Sequence, residues 1–363
     1  MITDFDRYAM SRALALAERG LETTDPNPRV GCVIAKNGRI IGEGWHQRAG
    51  EAHAEVAALR AASEAVSGST VYVTLEPCSH HGRTPPCANA LIDARIARVV
   101  YAVQDPNPQV SGEGAAALVR AGIAVEKGLM EAEATELNVG FMKRMRHGVP
   151  WVRLKLAMSL DGRTALADGS SQWITGGAAR EDVHRWRARS SAVVTGVGTV
   201  LADDPQLNVR LPGGDHRQPL RVILDTRLRT PPDARLFSVD GEVLILTATT
   251  VAEAAEALAA GGASVEIIPA FAGLLDLSSV LARLGELEIN ELLVEAGPTL
   301  SGQLLSGMFV DELLLYIAPM LLGPQARPLI NLPEVQSLEE AWGFSLFDVK
   351  RIGDDLRLRL RPH

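Results

Sequence analysis

The chain contains little cysteine, few aromatic residues and no long apolar segment. Its 363 residues include only three cysteines, an odd number that is too small for a disulfide framework. The thiols are therefore expected to be free or bound to metal in a reducing compartment. No apolar run approaches the roughly 20 residues that span a bilayer, and the acidic start MITDFDRYAM lacks the apolar core of a signal peptide. We expect a cytoplasmic protein with no membrane partner.

Positive charge is also scarce. The net charge of −8 argues against a sequence-independent grip on the phosphates of nucleic acid, so no nucleic acid partner is expected. An anionic substrate would have to be small and held by a few placed side chains. The hydrophobic content of 47% and the charged content of 22% are typical of a folded globular protein. The length suggests two or three domains.

Predicted strands and helices alternate in both halves of the chain, which favours α/β domains. The dipeptide Asn37-Gly38 predicts a hairpin turn between two strands, and residues 54–66 are predicted to form a helix. A basic segment that ends in Gly-Val-Pro, residues 142–150, interrupts this alternation. We therefore expect two domains, residues 1–147 and 148–363.

His53, Cys78 and Cys87 have the order and context of zinc ligands. One imidazole and two thiolates leave the fourth tetrahedral position open, which is typical of a catalytic rather than a structural zinc site. Glu55 lies at the start of a predicted helix, where its carboxylate could take a proton from water and hand it to a leaving amine. Structural zinc and inert thiols are the alternatives. Cys32, inside the apolar strand VGCVI, is expected to be a core thiol.

The gap between the two ligand cysteines is unusual. Zinc deaminases carry H-x-E followed by P-C-x-x-C, whereas eight residues separate Cys78 from Cys87. Cys87 opens a predicted helix, whose N-terminus is expected to favour its thiolate. The segments NPRVGCVI, GEGWH, HAEV and EPCSHHGRTPPC together resemble the deaminase domain of the bifunctional riboflavin-biosynthesis enzymes, the RibD family. A long insert between the cysteines is a feature of that family.

This resemblance implies a cytidine-deaminase-like αβα sandwich that deaminates a diaminopyrimidinone ribosyl phosphate with zinc. Arg83 could bind the phosphate, and Asp105 and Asn107 could bind ribose hydroxyls. The resemblance implies that their loops line the substrate pocket. From the residues alone, each of these side chains could instead cap a loop or form a turn. The full set of expected substrate residues is Asn27, His46, Arg83, Asp105 and Asn107.

Two glycine-containing turns follow predicted strands in the second half. VVTGVGTVLADDP, residues 193–205, is only a weak match to a dinucleotide-binding fingerprint. In LLVEAGPTLSGQLL, residues 292–305, the backbone N–H groups of 297–300 begin a predicted helix and could hold a dinucleotide phosphate. Either turn could equally be a plain connection between strand and helix.

The segments WVRLKLAMSLDGRTA, SQWITG, TGVGTVLADDPQLNVR and VEAGPTL resemble the reductase domain of the same enzymes, so the resemblance covers essentially the whole chain. It implies a dihydrofolate-reductase-like α/β domain that uses NADPH to reduce the ribosyl chain to ribityl. The residues then expected at the nucleotide are Ala157, Trp173, Thr199, Asp203, Thr226, Gly297, Pro298, Thr299, Leu300, Ser301, Gly302 and Gln303. Those expected at the sugar phosphate are Ser171, Arg187, Leu207, Arg210 and Glu295.

The reduction delivers a hydride to C1 of the sugar, and residue types in the second half suit that chemistry. Arginines suit the 5′-phosphate, and Glu295 suits sugar hydroxyls. Lys155, on the first strand, is a candidate proton donor to the imine-like intermediate. Arg180, His184 and Arg187 fall at helical spacing and form a basic stripe, which is either part of this site or a solvated face.

Three other functions share parts of this pattern. They are a nucleic-acid-editing deaminase, a non-catalytic zinc module, and a folate reductase fused to a cytidine deaminase. The negative charge and the long insert argue against the first, and Glu55 argues against the second. The family also implies a homo-oligomer, although no self-complementary surface is readable in the sequence. The residues alone do not decide between NADPH and NADH.

Overall fold

Two compact units make up the chain, Met1–Gly148 and Val149–His363. The computed structural model describes residues 2–79, 86–107, 111–213 and 216–363. Across these ranges, no helix combines the length and the apolar character that a bilayer-spanning segment requires.

The described residues of the first unit form five strands and six α-helices. The strands are β1 (Gly31–Lys36), β2 (Arg39–Trp45), β3 (Thr70–Leu75), β4 (Arg98–Val103) and β5 (Ala124–Lys127). The helices are α1 (Asp4–Ala17), α2 (Ala54–Arg60), α3 (Cys87–Asp93), α4 (Glu113–Arg120), α5 (Glu131–Leu137) and α6 (Val139–His147).

The five strands form one sheet in the order β2-β1-β3-β4-β5. Strand β1 runs antiparallel to both of its neighbours, and β3, β4 and β5 are parallel. The predicted hairpin at Asn37-Gly38 is confirmed, and both residues have the positive φ that a tight hairpin turn requires. Apolar residues of α1, α5 and α6 cover one face of the sheet, and those of α2, α3 and α4 cover the other. The unit is therefore an αβα sandwich.

Helix α2 lies very close to strand β2 because Gly42 and Gly44 have no side chains. A Cβ on Gly42 would lie 2.6 Å from a carbonyl oxygen of the helix, and one on Gly44 would lie 2.4 Å from a backbone nitrogen. The helix ends at Arg60 and not near residue 66 as predicted. The reason is that the backbone N–H of Ser63 donates to a carbonyl of β2 at 2.8 Å, which draws the chain onto the sheet.

The second unit contains the remaining strands and helices. The strands are β6 (Trp151–Ser159), β7 (Arg163–Ala165), β8 (Ala192–Gly196), β9 (Leu220–Leu224), β10 (Val243–Thr247), β11 (Ala263–Ile267), β12 (Ala270–Phe271), β13 (Leu274–Leu275), β14 (Glu291–Glu295), β15 (Glu312–Ala318), β16 (Arg327–Pro328), β17 (Phe344–Ile352) and β18 (Asp355–Pro362). The helices are α7 (Gly177–Arg189), α8 (Val197–Asp203), α9 (Ala252–Ala260), α10 (Leu277–Glu286) and α11 (Pro298–Ser306).

A nine-stranded sheet in the order β11-β10-β9-β8-β14-β6-β15-β18-β17 forms the centre of the second unit. The first seven strands in this spatial order, from β11 at one edge through β15, are parallel to one another. Strands β18 and β17 complete the other edge in antiparallel orientation. In a mostly parallel sheet, ligands bind in the crevice outside the carboxyl ends of the strands. We therefore expect a ligand-binding site at the loops that follow β6, β8, β9 and β14.

Candidate active sites

Three metal-binding side chains converge in the first unit. His53 is the residue before α2, Cys78 follows β3, and Cys87 begins α3. Their donor atoms all lie within 4.8 Å of one another. The Nδ1 atom of His53 is 3.2 Å from the Sγ atom of Cys87 and 3.6 Å from that of Cys78. Tetrahedral zinc bonds place nitrogen and sulfur ligands about 3.5 Å apart, so the geometry fits zinc.

The two ligand thiols lie close enough to interact. The pKa of Cys78 is lowered to about 4, chiefly because Cys87 donates a hydrogen bond to its sulfur. That same bond, followed by burial, raises the pKa of Cys87. The backbone N–H of Cys87 also donates to the Cys78 sulfur at 3.3 Å, so the start of α3 stabilises the Cys78 thiolate. The expectation that this helix start favours the Cys87 thiolate stays a prediction. A zinc ion deprotonates thiols that coordinate it, so both cysteines would bind zinc as thiolates.

Glu55 lies in the first turn of α2 and is 3% exposed. Burial raises the pKa of Glu55 to about 7, and the negative charge of Cys78 contributes further. A carboxyl group whose pKa lies near neutrality can both accept and release a proton at physiological pH. The close packing of α2 on β2 holds this group in place.

His46 and Asn27 lie beside the metal ligand His53. The Nδ1 atom of His46 is 3.1 Å from the carbonyl oxygen of Ala52, and its Nε2 atom is 3.0 Å from Nδ2 of Asn27. Because a carbonyl only accepts, the His46 proton is assigned to Nδ1, and Nε2 accepts from the Asn27 amide. Burial lowers the pKa of His46, which favours this neutral form. The rings of His46 and His53 pack edge to face, with centroids 5.5 Å apart.

The second predicted substrate loop is held by its own turn. Asp105 is buried, and its Oδ1 atom accepts the backbone N–H of Asn107 at 2.9 Å. This Asp105 oxygen therefore forms a turn, which was the alternative to a contact with substrate. Arg83 lies outside the described residues. Sequence reasoning missed Glu76, a buried carboxylate that accepts the backbone N–H of Asp105. The signal that could have found it is the acidic residue in EPC, directly after a buried strand.

A second cluster forms at the carboxyl ends of the strands in the second unit. Lys155 of β6 and Glu295 of β14 are paired in register. Arg187 of α7 binds both carboxylate oxygens of Glu295, at 2.5 and 2.9 Å. Burial opposes ionisation of Glu295, but Arg187 and then Lys155 outweigh it and lower the pKa of Glu295 to about 2. Burial lowers the pKa of Lys155, with Glu295 acting against it.

The basic stripe on α7 is not a solvated face. Arg187 donates from Nη1 to the carbonyl oxygen of Asn208 at 2.9 Å, and the Nδ1 atom of His184 accepts the backbone N–H of Arg210 at 3.2 Å. Burial, followed by the nearby arginines, lowers the pKa of His184 to about 4, which keeps the ring neutral and able to accept. The helix thereby anchors the loop that contains Leu207, a buried residue with a φ of 54°. Such left-handed backbone at a bulky residue often marks a binding loop.

The residues expected at the nucleotide, and Ser171 of the set expected at the sugar phosphate, lie on or after several strands of the second unit. A Cβ added to Gly198 or Gly297 would meet no heavy atom within 4 Å, so space is open above both turns. Trp173 is 66% exposed, and the guanidinium of Arg180 lies 4.6 Å from the centre of its ring. The expected residues occupy these elements: Ala157 on β6, Ser171 and Trp173 between β7 and α7, Thr199 and Asp203 on α8, Thr226 after β9, and Gly297–Gln303 at the start of α11.

Two family models match the chain, one in each unit. Residues 3–103 match the cytidine and deoxycytidylate deaminase zinc-binding region, and residues 150–358 match the RibD C-terminal domain. The three convergent metal ligands, His53, Cys78 and Cys87, all fall inside the first match.

Relatives and solved structures match over the full length. The riboflavin biosynthesis protein RibD of Escherichia coli K12 is 52% identical, with 98% of this chain and 99% of that protein covered. The solved structure of Acinetobacter baumannii RibD, form 1, has a TM-score of 0.92 at 48% identity, with 99% of both chains covered. A diaminohydroxyphosphoribosylaminopyrimidine deaminase/5-amino-6-(5-phosphoribosylamino)uracil reductase from Thermotoga maritima has a TM-score of 0.88 at 34% identity, again with 99% of both chains covered.

Proposed function

Because the chain belongs to the RibD family of riboflavin-biosynthesis proteins, we propose that its two units act in sequence on one phosphorylated pyrimidine. The chain is a bifunctional deaminase and reductase, with zinc and NADPH as its cofactors. The expected family, the α/β fold of both halves and the pair of activities are confirmed. We assign the deaminase to residues 1–147 and the reductase to residues 148–363. The substrates are those that the name of the Thermotoga maritima relative gives.

The convergence of His53, Cys78 and Cys87 beside the buried Glu55 is the observation that carries the deaminase assignment. These three side chains would hold zinc, which supplies a Lewis acid that acidifies water at the open position. Glu55 takes one proton from the attacking water and delivers it to the leaving amino group. The bond between the ring carbon and its exocyclic amino nitrogen breaks, a C=O bond forms at that carbon, the second water proton moves to the adjacent ring nitrogen, and ammonia leaves.

The substrate-binding residues proposed for the deaminase are those expected from the sequence. Asn27 and His46 form a hydrogen-bonded pair beside the metal ligands and would contact the pyrimidine ring. Asp105 and Asn107 would contact the ribose, and Arg83 would contact the phosphate. Charge-assisted bonds from a guanidinium suit a phosphate of this size.

In the reductase, the residues at the carboxyl ends of β6 and β14 would surround the sugar. Bound NADPH would provide the hydride for C1 of the ring-opened, imine-like ribosylamine, and Lys155 would donate the proton to the nitrogen, which yields the ribityl chain. Glu295, oriented by Arg187, would accept from sugar hydroxyls. Ser171, Leu207 and Arg210 would complete the sugar-phosphate site.

The nucleotide would lie along the loops that follow β8, β9 and β14. The open space above Gly198 and Gly297 supports this placement, because a phosphate can approach backbone that lacks a side chain. Trp173 would pack on the nucleotide. The residues proposed at the nucleotide are Ala157, Trp173, Thr199, Asp203, Thr226 and Gly297–Gln303.

The order of the two reactions tests this function. Zinc-loaded protein given the diaminopyrimidinone ribosyl phosphate without NADPH is expected to release ammonia and then stop. Addition of NADPH is expected to start its oxidation, measured by absorbance. NADPH oxidation before any ammonia is released would contradict the proposed order. Turnover of dihydrofolate in place of the deaminated product would favour the folate-reductase alternative.

The enzyme acts on a small molecule, and we further propose that it is a cytoplasmic homo-oligomer. Strand β17 is an edge of the nine-stranded sheet and exposes apolar side chains at Leu346 (59%) and Val349 (55%). An exposed, apolar edge strand is a template for pairing with another chain. A second copy of the same edge would cover it.

Negative charges introduced on β17 are therefore expected to separate the proposed oligomer into single chains. The double variant Leu346→Asp/Val349→Asp should lower the mass measured by light scattering to that of one chain. Ile267→Asp is a matched control, because Ile267 is also an exposed apolar residue, at the opposite edge strand β11. An unchanged mass in the β17 variant, or a monomeric wild-type protein, would rule out this interface.

A further inference from the structure

Glu76 is a buried carboxylate with no part in either proposed reaction. It lies two residues before the metal ligand Cys78 and is 3% exposed. Its Oε2 atom accepts the backbone N–H groups of Asp105 at 3.3 Å and Gly112 at 3.0 Å. Its Oε1 atom accepts the backbone N–H of Ala115 at 3.1 Å. One side chain thus binds three backbone amides from a different part of the chain.

Two of these bonds cap helix α4. The first N–H groups of a helix have no partners within it, and the residue before α4, Gly112, provides no side-chain cap. Glu76, which is distant from α4 in sequence, accepts both hydrogen bonds that a capping box would accept, from the backbone N–H groups of Gly112 and Ala115. Its carboxylate also places negative charge at the positive end of the helix dipole. A Cβ on Gly114 would lie 1.8 Å from the carbonyl oxygen of Pro77, so the start of α4 packs directly on the segment that carries Cys78.

The third bond fixes the loop that follows β4. Glu76 holds the backbone N–H of Asp105, and the Asp105 carboxylate in turn accepts the backbone N–H of Asn107. We propose that Glu76 is a positioning residue for the deaminase substrate, because it sets the distance between this loop and the metal ligand Cys78. The inference rests on the proposed function, in which the loop contacts the ribose.

The variant Glu76→Gln tests this role. Glutamine keeps the size of the side chain but replaces one acceptor oxygen by an NH₂ donor, so at least one backbone amide loses its partner. We expect KM for the deaminase substrate to rise about tenfold while kcat changes by less than about twofold, as for a loss of uniform binding. Zinc content should stay at the wild-type level. Hydrogen exchange at the Asp105 amide should accelerate.

A matched control makes the same carboxylate-to-amide change at a helix cap in the other unit. Asp276 accepts the backbone N–H of Ser279 at 3.0 Å at the start of α10, and Asp276→Asn should leave the deaminase KM unchanged. If Glu76→Gln does not fold, Glu76→Asp retains the charge on a shorter side chain and should also raise KM. An unchanged KM in the folded variant, or a loss of kcat that follows a loss of zinc, would overturn the inference.

The variant Asp105→Asn separates this inference from the proposed function. If it raises KM while Glu76→Gln does not, the loop contacts substrate but Glu76 does not position it, and only the inference fails. If it leaves KM unchanged, the loop does not contact substrate, and the proposed ribose site fails together with the inference. Reductase turnover of the deaminated product should be normal in both variants.

Discussion

Replacement of Glu55 by glutamine is expected to abolish deamination, with kcat lowered by about 10³-fold. Glutamine has nearly the same volume, so the buried packing of the start of α2 should survive. It cannot carry a proton from the attacking water to the leaving amino group. The measurement is ammonia release from the diaminopyrimidinone ribosyl phosphate, together with the zinc content of the purified variant, which should be unchanged.

The same protein provides the internal control for this prediction. Reduction of the deaminated product by NADPH should proceed at the wild-type rate in Glu55→Gln, because Lys155 and the other proposed reductase residues are untouched. Glu51→Gln is a matched control for the substitution itself, since Glu51 is exposed and lies near His53 in sequence. Deamination within about tenfold of the wild-type rate would mean that another group moves the proton. A wild-type protein that bound zinc but released no ammonia would favour the non-catalytic zinc module.

The metal site was predictable because its ligands are locally encoded. His53 and Glu55 lie within three residues at a helix start, and Cys78 and Cys87 follow a buried strand and open a helix. Each side chain is placed by the element next to it, so the order of elements sufficed to bring the ligands together. The hydrogen bond from the backbone N–H of Cys87 to the Cys78 sulfur was not predictable in this way, because it depends on how the start of α3 approaches Cys78.

The hydrogen-bond partners of Glu76 could not be predicted from the sequence. Its partners Gly112 and Ala115 are distant along the chain, and no local pattern connects an acidic residue after β3 with the start of α4. The same limit applies to Arg153, a fully buried residue that binds Glu291 and Glu312 within the second unit. An arginine in the strand WVRLKLAM would be expected to face solvent, and only the pairing of β6 with β14 and β15 supplies the two carboxylates that permit its burial.

The proposed reductase site could be predicted from the sequence only in part. Gly198 and Gly297 follow strands in the sequence, and the rule that ligands bind at the carboxyl ends of parallel strands then places their turns in one crevice. The hydrogen bonds from Arg187 to Glu295 and to Asn208 were not predictable, because Arg187 and Glu295 were each expected to contact substrate independently and Asn208 was not among the expected residues. The structure shows them instead as one bonded set, so variants at these positions should not have additive effects.

Replacement of Lys155 by methionine is expected to slow the reduction by about 100-fold while NADPH binding is retained. Methionine fills a similar volume without the proton that the imine-like intermediate must receive. Glu295 keeps its two hydrogen bonds to Arg187 in the variant, so the buried carboxylate remains paired and the unit should fold. NADPH affinity, measured by fluorescence titration, should be unchanged, and Lys127→Met, an exposed change in the first unit, should have no effect on either quantity.

The pH dependence of the reduction provides an independent test of Lys155. Burial lowers the pKa of Lys155 from the ordinary lysine value, and a proton donor must be protonated to act. The rate should therefore fall as the pH rises through this lowered pKa, at a pH below the value of about 10.4 for an exposed lysine. This alkaline decline should disappear in Lys155→Met, which has no proton to lose there. Unchanged turnover in the variant, or the same alkaline decline in both proteins, would remove Lys155 from the mechanism and leave the proton to solvent or to another side chain.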